Sequence, residues 1–268
     1  MFKSVNSFSF LFLLLFSLSS VADDFPGRKE FTTVSTYEKE TLFNNFDKVI
    51  IVDTRSKFEF DTLRIKNAIS IPVSSKTFTK EVRELRNQSL KPIVFYCNGR
   101  SCYKSYKASQ AAIRAGINNT FAYDAGMFEW AKAYPGFSSL LGKSPINPQH
   151  IISNEKYKQH LISPESFSQY AFNENSKGLI LDIRDSNQRA ASIGLFLGKE
   201  RWASIENMKK VTDFIKQAQA SKQPIYIYDA VGKQVRWIQY ALESHNVKDY
   251  YFMDKGAKGY IDKMVYKR

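Results

Sequence analysis

The chain is short of cysteine and histidine, with two and three among 268 residues. Two cysteines cannot staple a chain of this length, so its stability rests on an apolar core rather than a disulfide framework. His150, His160 and His245 lie far from both cysteines and form no metal-ligand spacing, so neither a metal site nor any other cofactor is expected. Long apolar runs are also missing. The nearest approach, Phe8 to Leu18, follows Lys3 and precedes Ser20-Val21-Ala22, the pattern of a secretory signal cleaved after Ala22. The run is too short and too early for a membrane span, and an uncleaved N-terminal anchor is the alternative. The expected location is periplasmic or secreted, with no stable membrane span after cleavage.

Acidic residues are few beside basic ones, 26 against 39, giving a net charge of +13. Loss of residues 1–22 removes only Lys3, leaving 13 − 1 = 12 positive charges on 268 − 22 = 246 residues, a length that suits two domains. The lysines are scattered rather than blocked. They read as a solvated surface or as attraction for small anions, and export argues against nucleic acid as a partner.

Both cysteines fall in Ile93-Val94-Phe95-Tyr96-Cys97-Asn98-Gly99-Arg100-Ser101-Cys102-Tyr103-Lys104-Ser105. An apolar run ends in Cys97, a polar loop follows, and Lys104 to Ala115 reads as a helix. A thiol at a strand tip facing a helix N-terminus is expected to have its thiolate stabilised by the dipole and by unpaired loop N–H groups. The same donors suit an anionic substrate.

Around this loop the pattern predicts strands at 48–53, 68–72, 91–96 and 120–123. Helices are predicted at 56–61, 78–86, 104–115 and 126–133. Strands alternating with helices imply a parallel sheet covered on both faces. The order returns later, with strands at 178–183, 223–228 and 250–253 and a helix at 235–244. Asp182-Ile183-Arg184 matches Asp53-Thr54-Arg55, which marks an internal repeat at a domain-sized period. Pro, Gly and Ser cluster between Pro135 and Pro164 as a linker. The expected organisation is a signal at 1–22, a domain at 23–142, a linker at 143–163 and a second domain at 164–268.

Three motifs together resemble the rhodanese family in a two-domain arrangement. They are Ile51-Val52-Asp53-Thr54-Arg55 with Glu59-Phe60 and Lys66 to Pro72, the cysteine loop, and Asp124-Ala125-Gly126-Met127-Phe128-Glu129-Trp130 with Tyr134-Pro135. Arg64 stands about where many members have histidine. The resemblance implies an α/β fold of two tandem rhodanese-like domains, each a parallel sheet with helices on both faces. It also implies a sulfurtransferase in which Cys97 takes the outer sulfur of a donor such as thiosulfate and passes it, as a persulfide, to a thiol or cyanide acceptor. The N–H groups of Asn98, Gly99, Arg100, Ser101, Cys102 and Tyr103 would cradle the anion. Arg100 and Lys104 are the nearest cations, and Gly99 lets the loop curl. Asp53 and Arg55 are expected to give structural support, with Trp130 in the core and Met127 in the core or at the rim.

In the second half Asp229 stands where the nucleophile belongs, followed by Ala230-Val231-Gly232-Lys233-Gln234-Val235. A carboxylate carries no sulfane sulfur, so this domain is expected to be inactive, stabilising the first and walling the cleft. An aspartyl nucleophile is the remote alternative. Cys102 is open between a bystander, a loop-shaping residue and a thiol that resolves the Cys97 persulfide. Other readings are a thiol-disulfide redox protein, although four residues separate the cysteines where C-x-x-C has two, and a binding module for a partner's persulfide or thiol. A phosphatase is discounted because the C-x5-R register places Tyr103 where the arginine clamp belongs. The loop lacks a mercaptopyruvate-type signature, which favours thiosulfate. A redox or sulfur-acceptor protein is a further expected partner.

Overall fold

The computed structural model describes residues 25–265 apart from 174, 176, 191 and 193; the expected signal lies outside them. The first part of the chain runs α1 (Pro26–Glu30), α2 (Lys39–Asn44), β1 (Ile50–Asp53), α3 (Lys57–Thr62), β2 (Leu63–Ile65) and β3 (Ile69–Ser70). It continues α4 (Phe78–Gln88), β4 (Ile93–Tyr96), α5 (Lys104–Arg114), β5 (Thr120–Tyr123), α6 (Gly126–Ala133) and β6 (Ser138–Leu140). The rest runs α7 (Asn154–Lys158), β7 (Leu161–Ile162), α8 (Pro164–Phe172), β8 (Leu179–Asp182), α9 (Ser186–Ala190) and β9 (Arg201–Trp202). It closes with α10 (Met208–Ser221), β10 (Ile225–Tyr228), α11 (Val235–Ser244), β11 (Tyr250–Met253) and α12 (Gly256–Tyr260).

These elements make an α/β fold with two parallel sheets, ordered β3-β1-β4-β5 and β7-β11-β10-β8-β9. Strand β4 is buried along its whole length, as its unbroken apolar run requires of a central parallel strand. Its side chains alternate. Ile93 and Phe95 pack with Phe78 and Val82 of α4 and Ala108 and Ala112 of α5, whereas Val94 and Tyr96 pack with Leu42 of α2 and Met127 and Trp130 of α6. Strand β10 does the same. Ile225 and Ile227 meet α10 and α11 through Val211, Ile215, Ile238 and Leu242, while Tyr226 and Tyr228 meet Phe167 of α8 and Ala257 of α12.

One apolar cluster joins the α2/α6 side of the first sheet to the α10/α11 side of the second. Phe128 of α6 stacks on Trp237 of α11 at 5.4 Å between centroids, and α11 packs on α3. These contacts fix how the loop at the end of β4 faces the second sheet.

Several elements lie outside the expected pattern, two strand pairings among them. Strands β2 and β6 pair antiparallel, Arg64 opposite Ser139, beside the first sheet. Strand β7, inside the stretch expected as linker, pairs with β11 as an edge of the second sheet. Helix α3 begins at Lys57 because Ser56 and Glu59 form a capping box, Ser56 standing outside the helix as its N-cap.

Candidate active site

The loop 97–103 leaves the C-terminal end of β4 and runs into α5, and its first residues are tied down from three sides. Thr54 donates to the Tyr96 carbonyl through its N–H at 3.1 Å and its hydroxyl at 2.8 Å. The N–H of Met127, at the start of α6, donates to the Cys97 carbonyl at 2.9 Å. Gly126 approaches so closely that a Cβ there would lie 2.3 Å from the Gly99 nitrogen, and its φ is +76°. Only glycine serves both conditions.

Asp53 and Arg55 form a wholly buried ion pair at the end of β1, with Arg55 Nη2 2.6 Å from Asp53 Oδ2. The Arg55 Nη1 donates to Asn98 Oδ1 at 3.0 Å, and the Asn98 amide donates to Glu59 Oε1 at 2.8 Å. Burial alone would raise the Glu59 carboxyl, but the charges of Arg55 and Lys104 and the Asn98 amide outweigh it and hold the group below its ordinary value. A charged chain thus runs from β1 through the side chain of Asn98 to Lys104, whose Nζ lies 3.7 Å from Glu59.

Cys97 is 0% exposed. Its Sγ donates to the Cys102 carbonyl at 2.9 Å and lies 3.7 Å from the Ser105 hydroxyl. Burial pushes its thiol well up, and contact with Cys102 adds to this. Burial thus opposes the thiolate stabilisation expected of Cys97. The adjoining Cys97 thiol is the largest influence on Cys102 and, against burial, the N–H groups of Lys104 and Asn98 and the Lys104 charge help bring it down to about 6. The reason is the turn in which the Cys102 N–H donates to the Gly99 carbonyl at 2.8 Å, folding residue 102 back over residue 97.

Cys102 is partly exposed and lines a cleft of about 620 Å³ between the two sheets, together with Asn98, Ser101, Tyr103 and Lys104. The far wall is built by Tyr157, Lys233, Arg236 and Trp237. Arg100 does not line this cleft. It turns to Glu129, 3.2 Å away, lies over the Phe25 ring at 4.9 Å, and borders a neighbouring hollow of about 420 Å³ with Gly99. Trp130 and Met127 are both fully buried, Met127 lying in the core rather than at a rim. Among the described residues no cluster of three or more His, Cys, Asp or Glu is placed to hold a metal ion.

Sequence reasoning missed the cations Lys233 and Arg236 and the stacked pair Phe128 and Trp237. Arg236 lies 4.9 Å from the Phe128 ring and 5.7 Å from that of Tyr157. For Lys233, Arg236 and Trp237 the repeat itself carried the signal, because they sit in the loop and helix that follow β10 as the cysteine loop and α5 follow β4.

The loop after β10 repeats the same ties. The Asp229 carbonyl accepts from the Ala257 N–H at 2.8 Å, as Cys97 accepts from Met127, and Arg184 Nη2 pairs with Asp182 Oδ2 at 2.7 Å. The Asp229 carboxylate accepts from its own loop, from the N–H groups of Val231 at 2.9 Å, Gly232, Gln234 and Val235 at 3.2 Å. The donors that would meet an outside anion are occupied by this side chain.

Residues 38–133 match the family model of the rhodanese-like domain. The chain is 28% identical over 85 residues to the tRNA uridine(34) hydroxylase of Cytophaga hutchinsonii, covering 31% of this chain and 27% of that protein. It is 32% identical over 87 residues to the Yersinia enterocolitica protein of the same name, covering 31% and 24%. The chain spans about a quarter of the length of these relatives. A solved thiosulfate sulfurtransferase from Pseudomonas aeruginosa is 18% identical, with 87% of this chain and 45% of that one covered and a TM-score of 0.38. A human single-domain sulfurtransferase is 22% identical, with 36% and 95% covered and a TM-score of 0.31. The matched residues, 38–133, include all four strands of the first sheet.

Proposed function

We propose that this chain is a sulfurtransferase that carries a sulfane sulfur on Cys97. The observation that supports this most directly is the position of Cys97 at the tip of the central strand β4, under a loop that curls into the start of α5 beside a cleft walled by cations. Once Cys97 has given up its thiol proton, its sulfur attacks the outer sulfur of a donor such as thiosulfate, sulfite leaves with the electron pair of the broken S–S bond, and a nucleophilic acceptor, a thiol or cyanide, removes the sulfur. Lys104 on one wall and Lys233 and Arg236 on the other supply the positive field for a small dianion. The Cys102 carbonyl accepts from the Cys97 thiol and Cys102 lines the cleft, so residue 102 borders the approach of a donor to Cys97.

The reading extends to two rhodanese-like domains, 23–142 and 164–268, with the second lacking a nucleophile because Asp229 fills its own loop. It walls the cleft and supports the first. The pattern of residues 1–22 supports export, with small anionic sulfur donors and a sulfur-acceptor or redox protein as partners there.

The test is thiocyanate formation from thiosulfate and cyanide. The wild type is expected to turn over and Cys97→Ser to give none. Equal rates in the two would overturn the assignment of Cys97.

A further inference from the structure

Cys102 performs no step of the reaction just described, yet it is the cysteine that lines the cleft. Cys97 is 0% exposed, whereas Cys102 is partly exposed and lines the cleft. The turn from Gly99 to Cys102 brings the main chain of residue 102 to 2.9 Å from the Cys97 sulfur, and both thiols are free. A spacing of four residues in an extended chain would part them by far more than the roughly 7 Å that disulfide geometry allows between Cα atoms; the turn removes that obstacle.

We propose that Cys102 is a second catalytic thiol, which resolves the Cys97 persulfide, releases hydrosulfide and leaves a Cys97–Cys102 disulfide facing the cleft. The inference rests on the sulfur-transfer reading of Cys97 and adds a reductive activity to it. In the step, the Cys102 thiolate attacks Cys97 Sγ. A bond forms between the two Sγ atoms, the bond from Cys97 Sγ to the sulfane sulfur breaks, and its electron pair departs on that sulfur with the hydropersulfide proton as HS⁻. The sulfane sulfur is reduced, the Cys102 thiolate is oxidised, and the Cys97 sulfur passes from persulfide to disulfide without a change of oxidation state. An external dithiol then reopens the disulfide by attacking Cys102, the sulfur on the cleft side, and Cys97 leaves as thiol.

Three features favour this route over direct hand-over to a bulky acceptor. The persulfide forms on a sulfur with no exposed surface, and the neighbouring Cys102 lines the cleft. The nearby N–H groups of Asn98 and Lys104 favour the thiolate form of Cys102, the nucleophile of this step. The cations of the cleft draw in the anionic donor and stabilise the negative charge that develops on the departing hydrosulfide.

The test is a single turnover of the reduced, desalted full chain with thiosulfate in the absence of oxygen. Hydrosulfide is trapped with a bimane, and intact mass and a peptide map are taken alongside. The wild type is expected to release hydrosulfide stoichiometrically and to end with a peptide linking residues 97 and 102. Cys102→Ser and Cys102→Ala are expected to keep the mass of one added sulfur and to release no hydrosulfide above a donor-free control. Retention of the added sulfur by the wild type as fully as by Cys102→Ser overturns the resolving role while leaving sulfur transfer intact. Failure of Cys102→Ser and Cys102→Ala to take up sulfur, when both remain folded, removes the underlying reading and this inference with it.

Discussion

The Cys97 sulfur donates to the carbonyl oxygen of Cys102 at 2.9 Å, so the deeper thiol is held by the residue that faces the cleft. The two cysteines are thereby made unequal. One is buried as a thiol, and the other is partly exposed and surrounded by N–H donors.

Alkylation against pH reads this inequality. Cys102, brought down to about 6 by the Cys97 thiol, the loop N–H groups and Lys104, is thiolate above that pH and thiol below it. Its rate of modification by iodoacetamide is expected to fall in proportion to the thiolate fraction as pH drops through about 6, while native Cys97 stays unmodified. Cys97→Ala removes the adjoining thiol and is expected to move the midpoint upward. A wild-type midpoint near the ordinary thiol value of about 8.5 contradicts the geometry.

Arg55 binds two parts of the site together, pairing with buried Asp53 and donating to Asn98 at the start of the loop. Arg55→Met leaves a buried carboxylate without its partner and is expected to cost about 3–5 kcal/mol in urea unfolding. Lys57→Ala breaks the exposed pair with Asp61 and is expected to change little. Similar small losses in both variants would show that the buried pair does not support the fold.

Asp229→Ala separates architecture from chemistry in the second loop. Four N–H groups lose their acceptor, and the chain is expected to lose about 1–3 kcal/mol of stability. Thiocyanate formation is expected to stay near the wild-type rate. Loss of rate in a variant of unchanged stability would make Asp229 a participant.

Gly126→Ala tests the close approach of α6 to the loop. The added Cβ would meet the Gly99 nitrogen at 2.3 Å and sit at a positive φ, so the loop must shift and sulfur uptake is expected to be lost. Gly136→Ala adds a Cβ with nothing within 4 Å and is expected to leave uptake unchanged. Equal uptake in the two variants would show that the loop does not depend on this contact.

Much of this architecture was legible in the sequence because parallel strands write themselves as short apolar runs between helical patterns. Strands Thr120–Tyr123 and Tyr250–Met253 and helices Gly126–Ala133 and Val235–Ser244 have the bounds that the pattern predicts. Strand Leu161–Ile162 was not legible, since two residues carry no period and their place depends on pairing with β11 far along the chain. The ribbon of β2 and β6 escaped for the same reason. At the site, the residue types announced a thiol on a loop. Which thiol faces the cleft was hidden, because a turn hydrogen bond from Cys102 to Gly99 decides it. The path of Arg100 was hidden too, because a long side chain finds Glu129 and Phe25 only once α1 and α6 are in place.

Intact mass spectrometry of Cys102→Ser after thiosulfate treatment tests the central claim most directly, because this variant has Cys97 as its single cysteine. The account predicts the mass of one added sulfur, mapped to the peptide that carries Cys97 and removed by cyanide. Absence of an adduct with thiosulfate and with inorganic polysulfide, in protein that remains folded, would contradict it.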